Sequence, residues 1–473
     1  MATIEVAPNR SAEFAAALTA VLHRPEAVDV SEAALCERSF DWWPVMAKSR
    51  QQGHVLHRPD VVVLPTSIDE IARVLAWANE ARVPVTPRGL GSSVVGGPLA
   101  TRGGVSLDLT RMTKVLNIDT ENMLVTVQAG KNGGELEDEL SALGLTLGHS
   151  PQSLYRSTVG GWIATRATGQ FSSKFGGIEE LATGCTLVMA DGSIARFGPW
   201  PRMAVGPDLR QLAIGSEGCL CVVAEVTLKC FPVPQAQAFE TVTFPDLPSG
   251  LKAMRTLMQA RLRPSLLRFY DLAEARHAML DDSFATPVMF LGCEGVPEVV
   301  TAELGAVLDI CRREGGKPIG AAATTSWMAR RFDFSAIERV LKNPAGVAET
   351  IEISNHWSGI ARTYEALTSR LAPFANEVLG HFSHAYTDAI SLYVILLGEA
   401  ADAADAEARL RQIWKVAMQA ALETGATVSH HHGTGLARSA YVAAGLGSAW
   451  PVMTKIKQAL DPHGILNPGK LGF

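Results

Sequence analysis

The chain has 473 residues, 47% of them hydrophobic and 19% charged, so it is long and apolar enough for two or three folded domains and lacks the composition of a disordered protein. The formal net charge of −6 and the lack of a strong basic run argue against electrostatic binding of nucleic acid. Seven scattered cysteines form no Cys-x-x-Cys pair, which argues against a disulfide framework or a zinc ribbon and favours a reducing cytoplasm.

Neither a signal peptide nor a membrane span is expected. The first residues, MATIEVAPNRSAEFAAAL, contain no basic segment followed by an apolar one. No apolar run approaches the roughly 20 residues of a membrane-spanning helix. Peripheral contact with a membrane stays open.

The N-terminal half alternates predicted helices and strands. SIDEIARVLAWANEARV has an acidic first turn and apolar residues at helical spacing, with Ser67 as its N-cap. VPVTP then predicts a short buried strand. Three further segments predict strands, the second with an Asp-Gly turn: LVTVQAG, CTLVMADGSIARFG and VVAEVTLKCFPVP.

The chain changes character near Pro234, where we place a domain boundary. Beyond it, DLPSGLKAMRTLMQARLRPS predicts a helix, TPVMFLGCEG predicts a strand, and VTAELGAVLDICRREGG predicts a second helix that ends at Gly-Gly. The last residues, IKQALDPHGILNPGKLGF, predict an amphipathic helix and a tail rich in proline and glycine.

A glycine-rich loop, PRGLGSSVVGG, follows a predicted strand at residues 87–97. It does not fit a dinucleotide fingerprint of the Rossmann type, because Ser-Ser-Val-Val after Gly91 is poor material for a helix. Small residues can instead expose backbone N–H groups that hold a pyrophosphate. A surface hairpin loop is the alternative.

Two further segments favour a flat ligand. GHSPQSLYRSTVGGWIATRATGQFSSKFGGIEEL, residues 148–181, is dense in serine, threonine and glycine, which let the backbone approach a ligand closely. IGSEGCLCVVAEVTL places Ser216, Glu217 and Gly218 just before a predicted strand.

These three segments, in this order, resemble the flavoprotein family that includes vanillyl-alcohol oxidase and the glycolate oxidase flavin subunit. The motifs PRGLGSS, GHSPQS, STVGGWIATRATG, PRMAVGPD and GSEGCLC are closest to the alkylglycerone-phosphate synthase (alkyl-dihydroxyacetonephosphate synthase) branch. The resemblance extends from about Pro59 to the C-terminus, and STVGGWxxTRxSG is its most specific motif.

The resemblance implies an α+β fold, with a two-subdomain FAD-binding domain of the vanillyl-alcohol oxidase type and an α+β cap that binds the substrate. The implied organisation is an N-terminal helical segment (1–54), an FAD-binding domain (55–234), a cap (235–420) and a C-terminal segment that closes on the FAD domain (421–473). It also implies a homodimer.

The implied cofactor is FAD, and it is expected to be non-covalent because Ser92 and Ser93 occupy the stretch where covalent members often carry a histidine. Cys221 stands where the family has a glycine. The residues implied to bind FAD are Pro87, Arg88, Gly89, Leu90, Gly91, Ser92, Ser93, Pro151, Gln152, Ser153, Ser157, Thr158, Gly160, Gly161, Ala164, Thr165, Arg166, Ala167, Ser216, Glu217, Gly218 and Val222.

Three adjacent histidines, His430, His431 and His432, lie near the C-terminus in TVSHHHGTG. Spacing alone leaves a metal site, a catalytic group and a structural cluster open. ATVSHH predicts a strand, on which His430 and His432 share a face and His431 points away. A metal site would recruit His381 or His384, but no cysteine cluster assists, and we predict no tightly bound metal.

The resemblance favours catalysis for this cluster. SHAYTDAISLY, which ends at Tyr393, followed by SHHHGTG, is similar to the catalytic half of alkylglycerone-phosphate synthases. There the tyrosine acts as acid and base, and the histidines shape the site of proton transfer. A phenol has a pKa near ~10 and needs a basic neighbour such as imidazole, near ~6.5. A packed aromatic residue in a strand is the alternative for Tyr393.

The resemblance also implies an arginine for the substrate phosphate. Arg339 matches best by its distance to Gly346 and Trp357, and Arg331 is next, although Glu338 and Val340 flank Arg339 where the family motif differs. A solvated helical arginine is the alternative. Arg268, in SLLRFYD, matches an arginine at the seam between the FAD domain and the cap.

The implied reaction exchanges the acyl group of an acyl-dihydroxyacetone phosphate for a long-chain alcohol, through an adduct at N5 of oxidised FAD, in ether lipid synthesis. A dehydrogenase or oxidase of a 2-hydroxy acid or an alcohol is the alternative, although its GHxGDGN motif is missing after His381. A flavin-binding protein that has lost catalysis is a third hypothesis.

Overall fold

The computed structural model describes residues 10–473, which form an α+β fold, as the resemblance implies. Its helices up to the predicted boundary are α1 (Arg10–Leu22), α2 (Glu32–Arg38), α3 (Pro44–Gln51), α4 (Ile68–Ala81), α5 (Gly133–Ser141), α6 (Val159–Thr165), α7 (Ser172–Phe175) and α8 (Ile178–Leu181). The strands of this half are β1 (Val28–Asp29), β2 (Val61–Val63), β3 (Val85–Arg88), β4 (Val105–Asp108), β5 (Val115–Asp119), β6 (Leu124–Gln128), β7 (Leu145–Thr146), β8 (Ala182–Val188), β9 (Ile194–Phe197), β10 (Val222–Lys229) and β11 (Phe231–Pro232).

The second half of the described chain is built around one large sheet. Its strands are β12 (Ala236–Thr243), β13 (Leu266–Tyr270), β14 (Val288–Gly295), β15 (Lys317–Gly320), β16 (Gly346–His356), β17 (Glu377–Ala385) and β18 (Ala389–Glu399). Its helices are α9 (Leu247–Gln259), α10 (Leu272–Met279), α11 (Pro297–Arg313), α12 (Ala322–Arg330), α13 (Ser335–Lys342), α14 (Ile360–Leu371), α15 (Ala403–Thr424), α16 (Val442–Leu446) and α17 (Trp450–Leu460).

Two sheets carry the glycine-rich loops of the first half. In the four-stranded sheet, of order β1-β2-β4-β3, strands β2 and β3 run parallel to β4, and the loop that follows β3 is the predicted pyrophosphate loop. The other sheet is antiparallel, of order β5-β6-β10-β8-β9. Helix α4 packs its apolar face inward, and the Ser67 side chain accepts from the Glu70 N–H, which confirms the predicted N-cap.

The cap sheet is antiparallel and seven-stranded, of order β15-β12-β14-β13-β17-β18-β16. Within it, Tyr393 lies directly opposite Glu352 on one side and opposite His381 on the other. Residues that face each other across antiparallel strands project from the same face of the sheet. The register therefore places these three side chains in one row.

The predicted strand ATVSHH is wrong, because residues 426–432 form an irregular loop. The N–H groups of His430, His431 and His432 all point at the carboxylate of Glu352, at 2.6, 3.2 and 3.0 Å. Successive N–H groups of a strand point in opposite directions, so a strand cannot deliver three of them to one carboxylate. The buried acid therefore bends the loop around itself.

The C-terminal tail returns to the first half of the molecule. Leu466 forms a β-bridge with Val85, and the Asn467 side chain donates to the backbone carbonyl of Glu217 at 2.6 Å. No helix among residues 10–473 combines the length and the apolar character needed to cross a bilayer.

Candidate active site

A cavity of about 310 Å³ lies where the glycine-rich loops meet the cap sheet. Every residue predicted to bind the cofactor lines it, except Arg166 and Ser216. The Arg166 side chain turns away to Glu179, whereas Ser216 is buried behind the wall. Tyr393, His431 and His432 line the same cavity, so the predicted cofactor and catalytic residues meet in one space.

The loop after β3 offers free backbone donors to this cavity. Among the described residues, none of the N–H groups from residue 90 to residue 94 donates a hydrogen bond. A Cβ atom on Gly89 would lie 2.3 Å from Thr158 Oγ1, so only glycine allows this loop to touch α6. Unpaired N–H groups in a tight, small-residue loop fit the pyrophosphate of a dinucleotide.

Glu217 ties the cofactor wall to the histidine loop. Its carboxylate accepts from the N–H groups of Thr434 and Gly435, at 2.6 and 2.8 Å, and from the Thr434 hydroxyl at 2.9 Å. Gly218 follows with a φ of +74°, and its Cβ would lie 3.0 Å from Pro87. The segments around residues 87, 217 and 434 are therefore locked together, although far apart in sequence.

Tyr393 is the centre of the wall that carries the predicted catalytic residues. Its hydroxyl lies 2.5 Å from Nε2 of His432 and 3.2 Å from Nε2 of His431. Burial, followed by the charge of Glu352, raises the pKa of Tyr393, so the phenol keeps its proton near neutrality. Two imidazole nitrogens therefore lie within hydrogen-bond reach of this phenol, as proton transfer requires.

Glu352 and Arg438 form a fully buried ion pair behind the histidines, at 2.6 Å. Burial works to raise the pKa of Glu352, but the Arg438 guanidinium and then the histidines outweigh it and hold the pKa well below its usual range. Arg438 also donates to Ser429 Oγ and to the Gly433 carbonyl. This acid is therefore an ionised anchor on which the loop is built.

A second buried group backs Tyr393 from the other side. The His381 ring stacks on the Tyr393 ring at 4.8 Å between centroids. His381 Nδ1 contacts Glu274 at 2.8 Å, and Arg268 donates to His381 Nε2 at 2.7 Å. Arg268 does not line the cavity, so this structure presents it as a support for His381.

His430 lies outside the cavity wall and contacts Tyr386. Its Nε2 is 2.8 Å from the Tyr386 hydroxyl, and its Nδ1 is 2.8 Å from Nδ1 of His431. Among the described residues, Glu352, His430 and His431 offer ligand atoms within 4.8 Å of one another. The carboxylate already accepts three N–H groups and an arginine, which leaves it poorly suited to a cation.

The other two arginines predicted to bind substrate also lie off the cavity wall. Arg339 is exposed on α13, and its neighbour Glu338 lines the cavity instead. Arg331 packs over the ring of Phe332, at 4.3 Å. Arg156, which the sequence did not single out, does line the cavity and pairs with Glu338 at 2.7 Å.

Other residues that the sequence analysis missed add apolar side chains to the cavity wall. Trp42 comes from the N-terminal segment, and the rest come from α13 and from the cap strands: Phe334, Ile337, Leu341, Ala348, Ile395 and Leu397. Glu349 also lines the cavity and accepts from Trp414 Nε1 at 2.7 Å. Burial raises the pKa of Glu349 to about 8. Two carboxylates within the apolar run VAETIEI, those of Glu349 and Glu352, are the sequence signal for buried polar partners.

The chain matches two protein families along most of its length. Residues 59–198 match the FAD binding domain, and residues 233–471 match the FAD linked oxidases, C-terminal domain. Uncharacterized FAD-linked oxidoreductase YgcU of Escherichia coli (strain K12) is 33% identical over 438 residues, which cover 88% of this chain and 90% of that protein.

Relatives with named activities differ among themselves. Alkyldihydroxyacetonephosphate synthase of Dictyostelium discoideum is 29% identical over 455 residues, covering 89% of this chain and 74% of that protein. Glycolate oxidase subunit GlcD of Bacillus subtilis (strain 168) is 28% identical over 461 residues and covers 94% of both chains. A solved alkyldihydroxyacetonephosphate synthase superposes with a TM-score of 0.81 at 25% identity, over 97% of this chain and 85% of that one.

The family matches agree with the geometry of the cavity. Free N–H groups of the loop after β3 and the glycine contacts suit a dinucleotide, and both matched families are named for FAD. The chain therefore belongs to the FAD-linked oxidases of the vanillyl-alcohol oxidase family, and its cofactor is FAD.

Proposed function

We propose that this enzyme acts as an alkylglycerone-phosphate synthase, exchanging the acyl group of an acyl-dihydroxyacetone phosphate for a long-chain alcohol. The observation that carries the proposal is the Tyr393 hydroxyl, 2.5 Å from His432 Nε2 on the wall of the FAD cavity. Relatives named alkyldihydroxyacetonephosphate synthase support the reaction class.

Bound FAD would supply an electrophilic ring that accepts electron density from the substrate carbon. The chain's own residues would handle the protons. Tyr393 would take a proton from the carbon beside the ketone and pass its hydroxyl proton to His432, and the reverse transfer would restore it. Over the whole exchange the alcohol loses a proton, the carboxylate leaves, and no net electrons move.

The apolar part of the cavity wall suits the hydrocarbon part of such a substrate. Trp42, Leu341, Ile395 and Leu397 line it. An amphiphilic substrate makes peripheral membrane contact part of this proposal. The free cysteines favour a cytoplasmic location, and the resemblance to alkylglycerone-phosphate synthases implies a homodimer. Non-covalent attachment of FAD belongs to the proposal as well, because Ser92 and Ser93 stand in the loop.

A second candidate is an FAD-dependent dehydrogenase or oxidase of an alcohol or a 2-hydroxy acid. The observation that favours it is Glu338, which lines the cavity at the place where the resemblance implies a phosphate-binding arginine. A carboxylate there opposes a phosphate dianion, and Arg156 beside it is already paired. In this reaction Tyr393 and His432 would remove the hydroxyl proton.

An anaerobic titration of the flavin spectrum separates the two functions. With acyl-dihydroxyacetone phosphate and a long-chain alcohol, the synthase yields an ether product and free fatty acid without lasting bleaching. With an alcohol or a 2-hydroxy acid, the dehydrogenase bleaches the flavin in proportion to the substrate added. Lasting bleaching by a hydroxy acid, without ether formation, would contradict the synthase.

A further inference from the structure

A continuous chain of side-chain contacts joins Tyr386, outside the cavity, to Tyr393. The Tyr386 hydroxyl contacts His430 Nε2 at 2.8 Å, and His430 Nδ1 contacts His431 Nδ1 at 2.8 Å. His431 Nε2 then contacts the Tyr393 hydroxyl at 3.2 Å. Every contact pairs atoms that can donate or accept, so the positions of the protons must agree along the whole chain.

The three imidazoles are neutral near pH 7. Burial lowers the pKa of His430 and of His431 to about 3 and the pKa of His432 to about 4. Each ring therefore carries one proton, on one nitrogen. Two arrangements satisfy all the contacts and also use the Tyr393 proton in a hydrogen bond: every proton points from Tyr386 toward His432, or every proton points the opposite way.

Glu352 distinguishes the two arrangements. Nδ1 of His432 is buried, has no hydrogen-bond partner among the described residues, and lies 3.7 Å from the ionised carboxylate. A proton on that nitrogen faces the negative charge favourably, whereas a bare lone pair would be repelled by it. Nδ1 of His431 is 3.8 Å from the same carboxylate, but it is hydrogen-bonded to His430 in either arrangement.

The remaining protons follow from His432. With its proton on Nδ1, its bare Nε2 accepts from the Tyr393 hydroxyl, which agrees with the short distance of 2.5 Å. The Tyr393 oxygen must then accept from Nε2–H of His431, at 3.2 Å. His431 consequently accepts at Nδ1 from His430, and His430 accepts at Nε2 from the Tyr386 hydroxyl.

We infer that Tyr386 is a positioning residue: by donating to His430, it holds His431 in the tautomer that donates to Tyr393, and so directs the Tyr393 proton at His432. Its effect on turnover rests on the proposed function, because that function gives Tyr393 and His432 the proton transfer. The proton positions themselves depend on the fold alone.

Nitrogen NMR of the FAD-loaded enzyme with ¹⁵N-labelled histidine tests the tautomers without any substrate. We expect Nδ1–H on His430 and His432 and Nε2–H on His431, with each signal assigned by its loss in a His→Gln variant. In Tyr386→Phe, the rings of His430 and His431 should no longer each be held in one tautomer. Nδ1–H on His431 of the unmodified enzyme would overturn the inference.

Kinetics of Tyr386→Phe test the consequence. We expect kcat to fall about tenfold with KM and FAD content unchanged, a smaller loss than the roughly 10²–10⁴-fold expected for the acid/base itself. Tyr364→Phe is the matched control, because it loses a hydroxyl that donates to Asp271 instead. Unchanged kcat and unchanged histidine tautomers in Tyr386→Phe would refute the positioning role. If no proposed substrate turns over, the synthase proposal fails and the NMR result alone decides this inference.

Discussion

Tyr393→Phe removes one oxygen atom from the wall of the FAD cavity and keeps the aromatic ring. The hydroxyl makes the hydrogen bonds to His431 and His432, whereas the ring, which Phe retains, stacks on His381 and packs against both of these histidines. Loss of a positioned acid and base lowers the rate by about 10²–10⁴-fold. We therefore expect kcat to fall in that range while FAD remains bound.

The structure also bounds the cost in stability. Tyr393 loses two hydrogen bonds between neutral groups, each worth about 0.5–1.5 kcal/mol, so the free energy of unfolding should fall by about 1–3 kcal/mol. Denaturant unfolding followed by flavin fluorescence measures this change. The folded, yellow variant is then compared with the unmodified enzyme in steady-state turnover.

Two results would refute the catalytic role of Tyr393. Turnover within threefold or so of the unmodified enzyme would show a packed aromatic residue, because even the weakest acid/base role exceeds that effect. Loss of FAD together with activity would show a structural role. Tyr364→Phe, whose hydroxyl donates to Asp271, controls for the removal of a buried tyrosine hydroxyl.

Four further predictions follow from the same geometry. Gly89→Val should purify with less FAD per chain, because its Cβ meets Thr158. The ratio of flavin to protein absorbance measures the FAD content. The control is Gly305→Ala, whose Cβ would have no atom within 4 Å, and this variant should keep its full FAD content. Burial raises the pKa of Glu349 to about 8, which is above its pKa in the unfolded chain. The unfolded chain therefore releases this proton at a lower pH than the folded protein does, and the free energy of unfolding falls as the pH rises from the unfolded pKa to about 8. Glu349→Gln carries no titrating group at this position, so its free energy of unfolding relative to the unmodified enzyme should rise by about 1.4 kcal/mol per pH unit between about pH 5 and about 8. Denaturant unfolding measures this difference, and a difference that does not change with pH would contradict the reasoning. In the synthase, the phosphate would have to draw Arg156 away from Glu338, because Arg156 lines the cavity and Arg339 does not. Arg156→Gln should then raise KM for phosphorylated substrates by about ten- to a hundredfold, more than Arg339→Ala does, and leave unphosphorylated analogues unchanged. Equal effects on both kinds of substrate would place the phosphate elsewhere. Elemental analysis after dialysis against a chelator should find well under one metal ion per chain in the histidine cluster, and a stoichiometric metal would contradict this.

The sequence by itself determined the cofactor wall. Gly91 and Gly218 have φ values of +71° and +74°, and this left-handed backbone geometry is a local constraint that favours glycine. The helix α4 and its cap at Ser67 were equally readable, because apolar spacing and an N-cap are local patterns. Local backbone chemistry therefore marked the loops of the cofactor wall, and the resemblance to the flavoprotein family supplied the individual residues, all but two of which line the FAD cavity.

Only the tertiary structure decided the catalytic wall. The sequence pattern predicted a strand that paired His430 with His432, but Glu352, 78 residues away from His430, binds the backbone and turns His431 and His432 toward Tyr393. The charge of that acid is held in turn by Arg438, which spacing along the chain did not reveal. A buried charge is stable only with its partner, and partners this distant in sequence meet only when the cap sheet and the C-terminal loop pack together.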